Sequence, residues 1–219
     1  MTRKAFAKGL QELNEMMATM AELTGLAIKK AVRSLEDLDV NAAEEVSTLD
    51  KEVYALQVEN EKKCADLLAL YAPVARDLRT IMTSLKITTD LDRISRYAKD
   101  ITEVTLAIVA AGEHHPKKLV SIPHMADLTT AMVEKAVRAF VSRDAETVRN
   151  IFREDDSVDS LHDQIFREQV TYMMDRTTKI ETGARYILVS RYLERIADHA
   201  CNIGERVVYM VTGERIERT

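Results

Sequence analysis

Four polar side chains share one face of the stretch Leu193 to Glu205 (LERIADHACNIGE): Glu194, Asp198, Asn202 and Glu205. This follows if the stretch is a helix advancing about 100° per residue, with Leu193, Ile196, Ala200, Ile203, Val207 and Met210 as its apolar seam. A second acidic pair, Asp155 and Asp159, stands one turn apart in the preceding periodic segment. Paired carboxylates on two neighbouring helices offer hard oxygen ligands, the donor set of magnesium, calcium, manganese and iron. The favoured set is therefore Asp155, Asp159, Glu194, Asp198 and Asn202. A degraded copy of the ladder runs from Leu91 to Glu103 (LDRISRYAKDITE). Asp50, Asp92 and Asp100 form its weaker set, because Tyr54 stands where Asp159 does and Arg96 where Asp198 does. Arg96 is expected to take the place of a cation and pair with Asp92 or Asp100, each one turn away. Asp77 and Glu103 are further ligand candidates in that half.

The plainer alternative is a solvated face. On the last helix the acids lie nearly opposite the seam, and Arg191 and Arg195 each precede an acid by three residues, able to pair with it. The fifth helix differs. Asp155, Asp159 and His162 fall in the same sector as Val148, Ile151, Phe152, Val158, Phe166 and Met173, so acids are expected to interrupt an apolar stripe and to need a partner. That partner is a metal ion, or else Arg195, Arg185 or Arg153.

The elements that must position these acids are long helices. With only 6 Gly and 3 Pro in 219 residues, periodic stretches run without breakers. The first helix is expected from about Thr2 to Leu38, with seam positions Phe6, Leu10, Leu13, Met17, Met20, Thr24, Ala27 and Ala31. Met16, Met17 and Met20 read as core packing rather than a sulfur site. Asp39 or Asn41 caps the second helix, which carries Val46, Leu49, Val53, Leu56, Asn60, Cys64 and Leu67. Pro73 is expected to begin the third, running to about Ala111. Gly112-Glu-His-His-Pro-Lys-Lys reads as the linker, with His114 and His115 solvated. Helices over Ile122 to Val141, Asp144 to Asp175 and Lys179 to Thr212 follow, with Gly213 as a stop.

The halves repeat. Leu23-Thr24 matches Leu128-Thr129, Lys30-Ala-Val-Arg33 matches Lys135-Ala-Val-Arg138, and Asp39, Asp50 and Val53 match Asp144, Asp155 and Val158 at one common offset. The fold expected is all-α, a tandem repeat of two three-helix bundles made of six long antiparallel helices, over residues 1–112 and 113–219.

Composition bounds the function. A net charge of -5 and the absence of a basic stripe interleaved with aromatics argue against nucleic acid. No apolar run is long enough to span a bilayer, and the N-terminus lacks a signal-peptide pattern, so a cytoplasmic protein is expected. Cys64 and Cys201 have no C-x-x-C spacing and read as buried free thiols.

The motifs together resemble the PhoU family, the regulatory protein of the phosphate-specific transport system. They are Asp77-Leu-Arg79, Leu91-Asp-Arg-Ile94 with Asp100-Ile101, Phe152-Arg-Glu-Asp155 with Val158-Asp159, Thr171-Tyr-Met-Met174, and Leu193-Glu-Arg-Ile-Ala-Asp198 with Asn202-Ile203 and Glu205. The resemblance covers nearly the whole chain. It implies a non-enzymatic regulator that carries metal ions on its acidic motifs, iron or zinc clusters in some members. Magnesium or manganese suits the same ligands, and no organic cofactor is expected. It further implies repression of the phosphate-starvation response, partners in the ATPase subunit of a phosphate ABC transporter and a sensor histidine kinase, and often a homodimer. Contact with a membrane would come only through those partners. Arg96 departs from the acidic pattern. Two other readings stand beside this one. A ferritin-like di-iron oxidase is opposed by having only one partial Glu-x-x-His match, Asp159-x-x-His162. A metal-free helical scaffold is the other.

Overall fold

In the computed structural model the described residues, 3–115, 117–175 and 180–215, form helices α1 (Arg3–Asp37), α2 (Val40–Tyr71), α3 (Ala75–Ala110), α4 (Ser121–Ser142), α5 (Ile151–Asp175) and α6 (Ile180–Thr212). A 3-10 turn, Glu146–Val148, precedes α5. Thr2 and Lys179, expected as helix starts, and the linker residue Pro116 lie outside the described residues.

The helix ends show why so few glycines suffice. α1 closes with Leu38 in the left-handed region (φ 51) and the Asp39 N–H on the Ser34 carbonyl at 2.9 Å. α4 closes the same way, with Arg143 (φ 56) and the Asp144 N–H on Ala139 at 3.0 Å. Asp39 Oδ1 then accepts from Asn41 N–H (2.9 Å), as Asp144 Oδ1 does from Glu146 N–H (3.0 Å). The two repeats thus share the left-handed closure and the first aspartate cap bond. Gly112 and Gly213 close α3 and α6 with positive φ, and the Gly213 N–H reaches the Tyr209 carbonyl at 2.8 Å, a stop as expected from the sequence.

Two expected starts move. α5 begins at Ile151 instead of Asp144, because Asp144 also accepts from the Thr147 hydroxyl (2.7 Å) and winds the next residues into the 3-10 turn. α3 begins at Ala75 instead of Pro73, because Ala72 closes α2 in the left-handed region and Val74 is extended.

The expected seams are inside. Leu13, Met17, Met20, Thr24, Ala27 and Ala31 of α1 are buried, as are Leu193, Ile196, Ala200, Ile203, Val207 and Met210 of α6. α1, α2 and α3 pack on one another, as do α4, α5 and α6, while α3 against α6 and α1 against α4 join the halves. One continuous hydrophobic core therefore runs through both repeats. A smaller cluster of Leu13, Cys64, Leu67 and Ile81 lies apart from it, among α1, α2 and α3. Cys64 and Cys201 are buried thiols, and burial pushes the Cys64 thiol up to about 12.

His115 corrects the reading of a solvated linker. Its ring contacts the Leu35 carbonyl (2.7 Å) through Nε2 and the phenol of buried Tyr186 (2.5 Å) through Nδ1. A buried tyrosine hydroxyl needs a partner, and the linker supplies one. His114 is exposed. No helix among the described residues is long and apolar enough to cross a membrane.

Candidate functional site

Glu194 is the centre of the second-half acidic group. Its side chain is only 17% exposed. Oε1 pairs with the Arg191 guanidinium from the preceding turn. Oε2 is buried and accepts no hydrogen bond, with His162 Nε2 of α5 at 3.7 Å. The His162 ring is fixed at its other nitrogen by Ser190 Oγ of α6, at 2.9 Å.

Asp159 faces this group from α5. Burial first, then the charges of Glu194, Asp198 and Asp156, raise its carboxyl above the ordinary value, and His162 opposes them. Arg191 is raised in turn, first by its bond to Glu194, and it also feels Asp198 and Asp159. Asp159, Glu194 and Asp198 thus form one electrostatic cluster across α5 and α6, with Arg191 lodged among them. Asp155 lies one turn before Asp159, half-buried. Asn202 and Asp198 line a cleft of about 360 Å³ with Tyr97, Arg191, Arg195 and His199. Glu205 belongs elsewhere, in a second cleft toward the C-terminal end of α6. As the side chains stand, no three His, Cys, Asp or Glu residues among those described are gathered as a metal-ligand group.

Three expectations about α5 change. Its buried stripe is Ile151, Val158, Ile165 and Gln169, and Phe166 is 47% exposed. Val148 is buried in the 3-10 turn, outside the helix. Taking Ile151 as zero, Asp155 and Asp159 sit about 40° and 80° around the helix, so they flank the stripe and do not interrupt it. Arg185 pairs with Glu113 (3.5 Å) and Glu181 (2.5 Å) instead of with these acids. Arg195 lies over the Tyr97 ring at 5.6 Å.

In the first half, Arg96 holds Asp92, with Nε on Oδ2 at 2.9 Å and Nη2 on Oδ1 at 3.5 Å, and stacks over Tyr54 at 5.8 Å. Both oxygens of the buried Asp92 carboxylate are thereby engaged. Asp50 accepts from Ser95 Oγ at 3.1 Å. Asp100 is raised first by burial, then by Glu103, with Asp50 adding and Lys99 and Arg195 opposing. Glu103 is exposed, and Asp77 sits in the first turn of α3, far along the helix from Asp92.

The seam between α3 and α6 carries a polar network centred on buried Asp90 that spacing within one helix does not reveal. Tyr97 meets Tyr192 and His199, Asp90 meets His199 and Arg206, and Arg79 meets Met210, so the two helices run antiparallel. Asp90, 4% exposed, accepts from His199 Nδ1 at 3.0 Å and is ion-paired with Arg206, which donates to the Lys86 carbonyl at 2.8 Å. A signal existed in the sequence. Asp90 lies within the buried arc of Ile87, Leu91, Ile94, Ala98, Ile101 and Val104 on a helical projection, where an acid needs a partner.

The donor chemistry can be tested for a cation. In the second half an orphaned, buried carboxylate oxygen adjoins a neighbouring acid raised first by burial and then by its negative neighbours, and both features fit a hard cation. In the first half Arg96 already neutralises Asp92, and the set fits one poorly.

Sequence and fold comparisons agree with this architecture. The model of the PhoU domain matches twice, over residues 17–105 and 122–207. The phosphate-specific transport system accessory protein PhoU homolog of Clostridium acetobutylicum is 33% identical over 218 residues, covering 99% of each chain. The homolog of the same description from Aquifex aeolicus is 37% identical over 210 residues, covering 96% of this chain and 94% of its own. The crystal structure of PhoU from Pseudomonas aeruginosa superimposes with a TM-score of 0.90 at 31% identity, over 95% of this chain and 100% of that one. The phosphate transport system regulatory protein PhoU from Streptococcus pneumoniae gives 0.87 at 27% identity, over 97% and 100%. With the domain present twice and relatives matched end to end, the chain belongs to the PhoU family.

Proposed function

We propose that this chain is an accessory regulator of a phosphate-specific transport system. It acts as a non-enzymatic adaptor whose second-half acidic cluster holds a divalent or trivalent cation. The observation that carries the metal reading is the buried, hydrogen-bond-free Oε2 of Glu194 beside Asp159 and Asp198. A buried acceptor without a partner costs about 1–3 kcal/mol, and a cation there removes that cost. Glu194, Asp159 and Asp198 would hold the ion, with Asp155 and Asn202 at its margin. When bound, the ion supplies positive charge that neutralises the cluster. Carboxylate oxygens suit iron, manganese and magnesium, and zinc less well. Arg191 acts as the resident counter-charge that the ion displaces from Glu194.

The names of the relatives support the regulatory reading, since they are called accessory or regulatory proteins of phosphate transport. The partners proposed are the ATPase subunit of a phosphate ABC transporter and a sensor histidine kinase on the cytoplasmic side. A homodimer is proposed as the working form. Co-purification of the ATPase subunit with this chain, with and without phosphate, tests the adaptor role. Association that depends on phosphate or metal is expected. Its absence under every phosphate and metal condition contradicts the role.

A further inference from the structure

A second cleft, of about 360 Å³, opens between the N-terminal half of α3 and the C-terminal end of α6. Its lining brings four cations together, Arg79 and Lys86 from α3, Arg206 from α6 and Arg215 just beyond α6. Glu205 is the acid in the lining, and Asp90 stands behind Arg206. Four cations against these two acids leave two positive charges in the cleft, on a chain whose net charge is -5.

The cations are not equivalent. Arg206 is committed to Asp90 and the Lys86 carbonyl. Arg79 is set in place, with Nε 3.4 Å from the Met210 carbonyl, close to the C-terminal end of α6. A Cβ at Gly213 would lie 3.8 Å from its Cζ and Nη1. Gly213 closes α6 with positive φ, and the guanidinium lies beside this turn at ordinary contact distance. Lys86 and Arg215 are paired with no carboxylate among the described residues. Thr83 and Tyr209 add hydroxyl groups to the same lining. One pre-positioned guanidinium fork, two uncommitted cations and nearby hydroxyls match a tetrahedral, doubly charged oxyanion better than a single carboxylate.

From this we infer that the α3/α6 cleft lined by Arg79, Lys86 and Arg215 is a binding site for a phosphate dianion, free or carried as a small-molecule monoester. The site stands apart from the acidic cluster and does not rest on the metal reading. It gives the chain a way to sense phosphate on the helix pair that joins its two repeats.

The test titrates the full chain with inorganic phosphate and, separately, with AMP as the monoester. It is followed by ³¹P line broadening and amide shifts at fixed ionic strength set with acetate, so that screening stays constant. Saturable binding of at least one probe is expected, with shifts at Lys86 and Arg215. The Lys86→Ala/Arg215→Ala double variant, at two side chains outside the core, should weaken it roughly tenfold, the combined effect of two exposed charge contacts. Glu205→Gln should tighten it. Tighter binding of phosphate assigns the free ion, and tighter binding of AMP assigns the ester. Failure of both probes to saturate, or unchanged binding in the double variant, overturns the inference.

Discussion

Replacing Asp90 by alanine probes the joint between the repeats. Asp90 is 4% exposed, and its carboxylate holds His199 of α6 at 3.0 Å and the Arg206 guanidinium. Removing one partner of a buried ion pair costs about 3–5 kcal/mol, because the other charge stays desolvated. Arg206 keeps 30% side-chain exposure and its bond to the Lys86 carbonyl, which brings the expected loss to about 2–3 kcal/mol. With a urea dependence of about 2–3 kcal/mol per molar, the midpoint followed by circular dichroism should fall by about 1 M. It should fall in a single transition, since one core runs through both halves. Asp90→Asn, which keeps an acceptor, should lose less. In an Arg206→Met background, Asp90→Ala should lose less as well, because no guanidinium is left unpaired. A midpoint shift below about 0.3 M for Asp90→Ala, or full additivity of the two substitutions, would refute the network as the joint.

Three further perturbations follow from the geometry. Arg96→Asp places an acid where the second half has Asp198 and frees Asp92, so bound manganese or iron should rise by one equivalent per chain on elemental analysis, and unchanged stoichiometry contradicts this. The His199 imidazole is held below its ordinary value, first by burial and then by Arg93 and Arg195, with Asp198 opposing and Asp90 and Arg206 facing it. The unfolded chain then binds more protons in the window below about pH 6.5, so stability is full above that pH and declines as the pH falls below it. His199→Gln should flatten this decline in urea midpoints, and an identical slope in the variant sinks the assignment. Asn60 is fully buried, with Nδ2 3.8 Å from Met20 Sδ and Oδ1 without a partner, so Asn60→Leu should gain about 1 kcal/mol and raise Tm, and a lower Tm counts against it.

The helices were legible because their seams recur without breakers. Every seam position named for α6 is buried, and so are those of α1 from Leu13 on. The duplication was legible from matched residues, and the copied caps at Leu38–Asp39 and Arg143–Asp144 are its structural trace. What escaped were interactions between segments distant in sequence. An ideal projection placed Phe166 with Asp155 and Asp159, but the buried line of α5 runs through Ile165 and Gln169. Spacing along one helix made Glu205 part of a single ladder, whereas the antiparallel crossing of α3 puts it in the basic cleft. Arg96 was legible as an occupant because Asp92 is its neighbour one turn away, and they do pair. Asp90 and His199, far apart in sequence, were not.

The central claim concerns Glu194, and cation binding to the full chain measures it most directly. Wild-type protein purified without chelator, then stripped and titrated with manganese or iron, should bind saturably. Glu194→Gln should weaken binding roughly tenfold or more, by loss of a ligand oxygen. Arg191→Ala, which removes the resident counter-charge, should tighten it. Wild type that binds no metal, Glu194→Gln that binds as well as wild type, or Arg191→Ala that binds more weakly would contradict a cation site at this cluster.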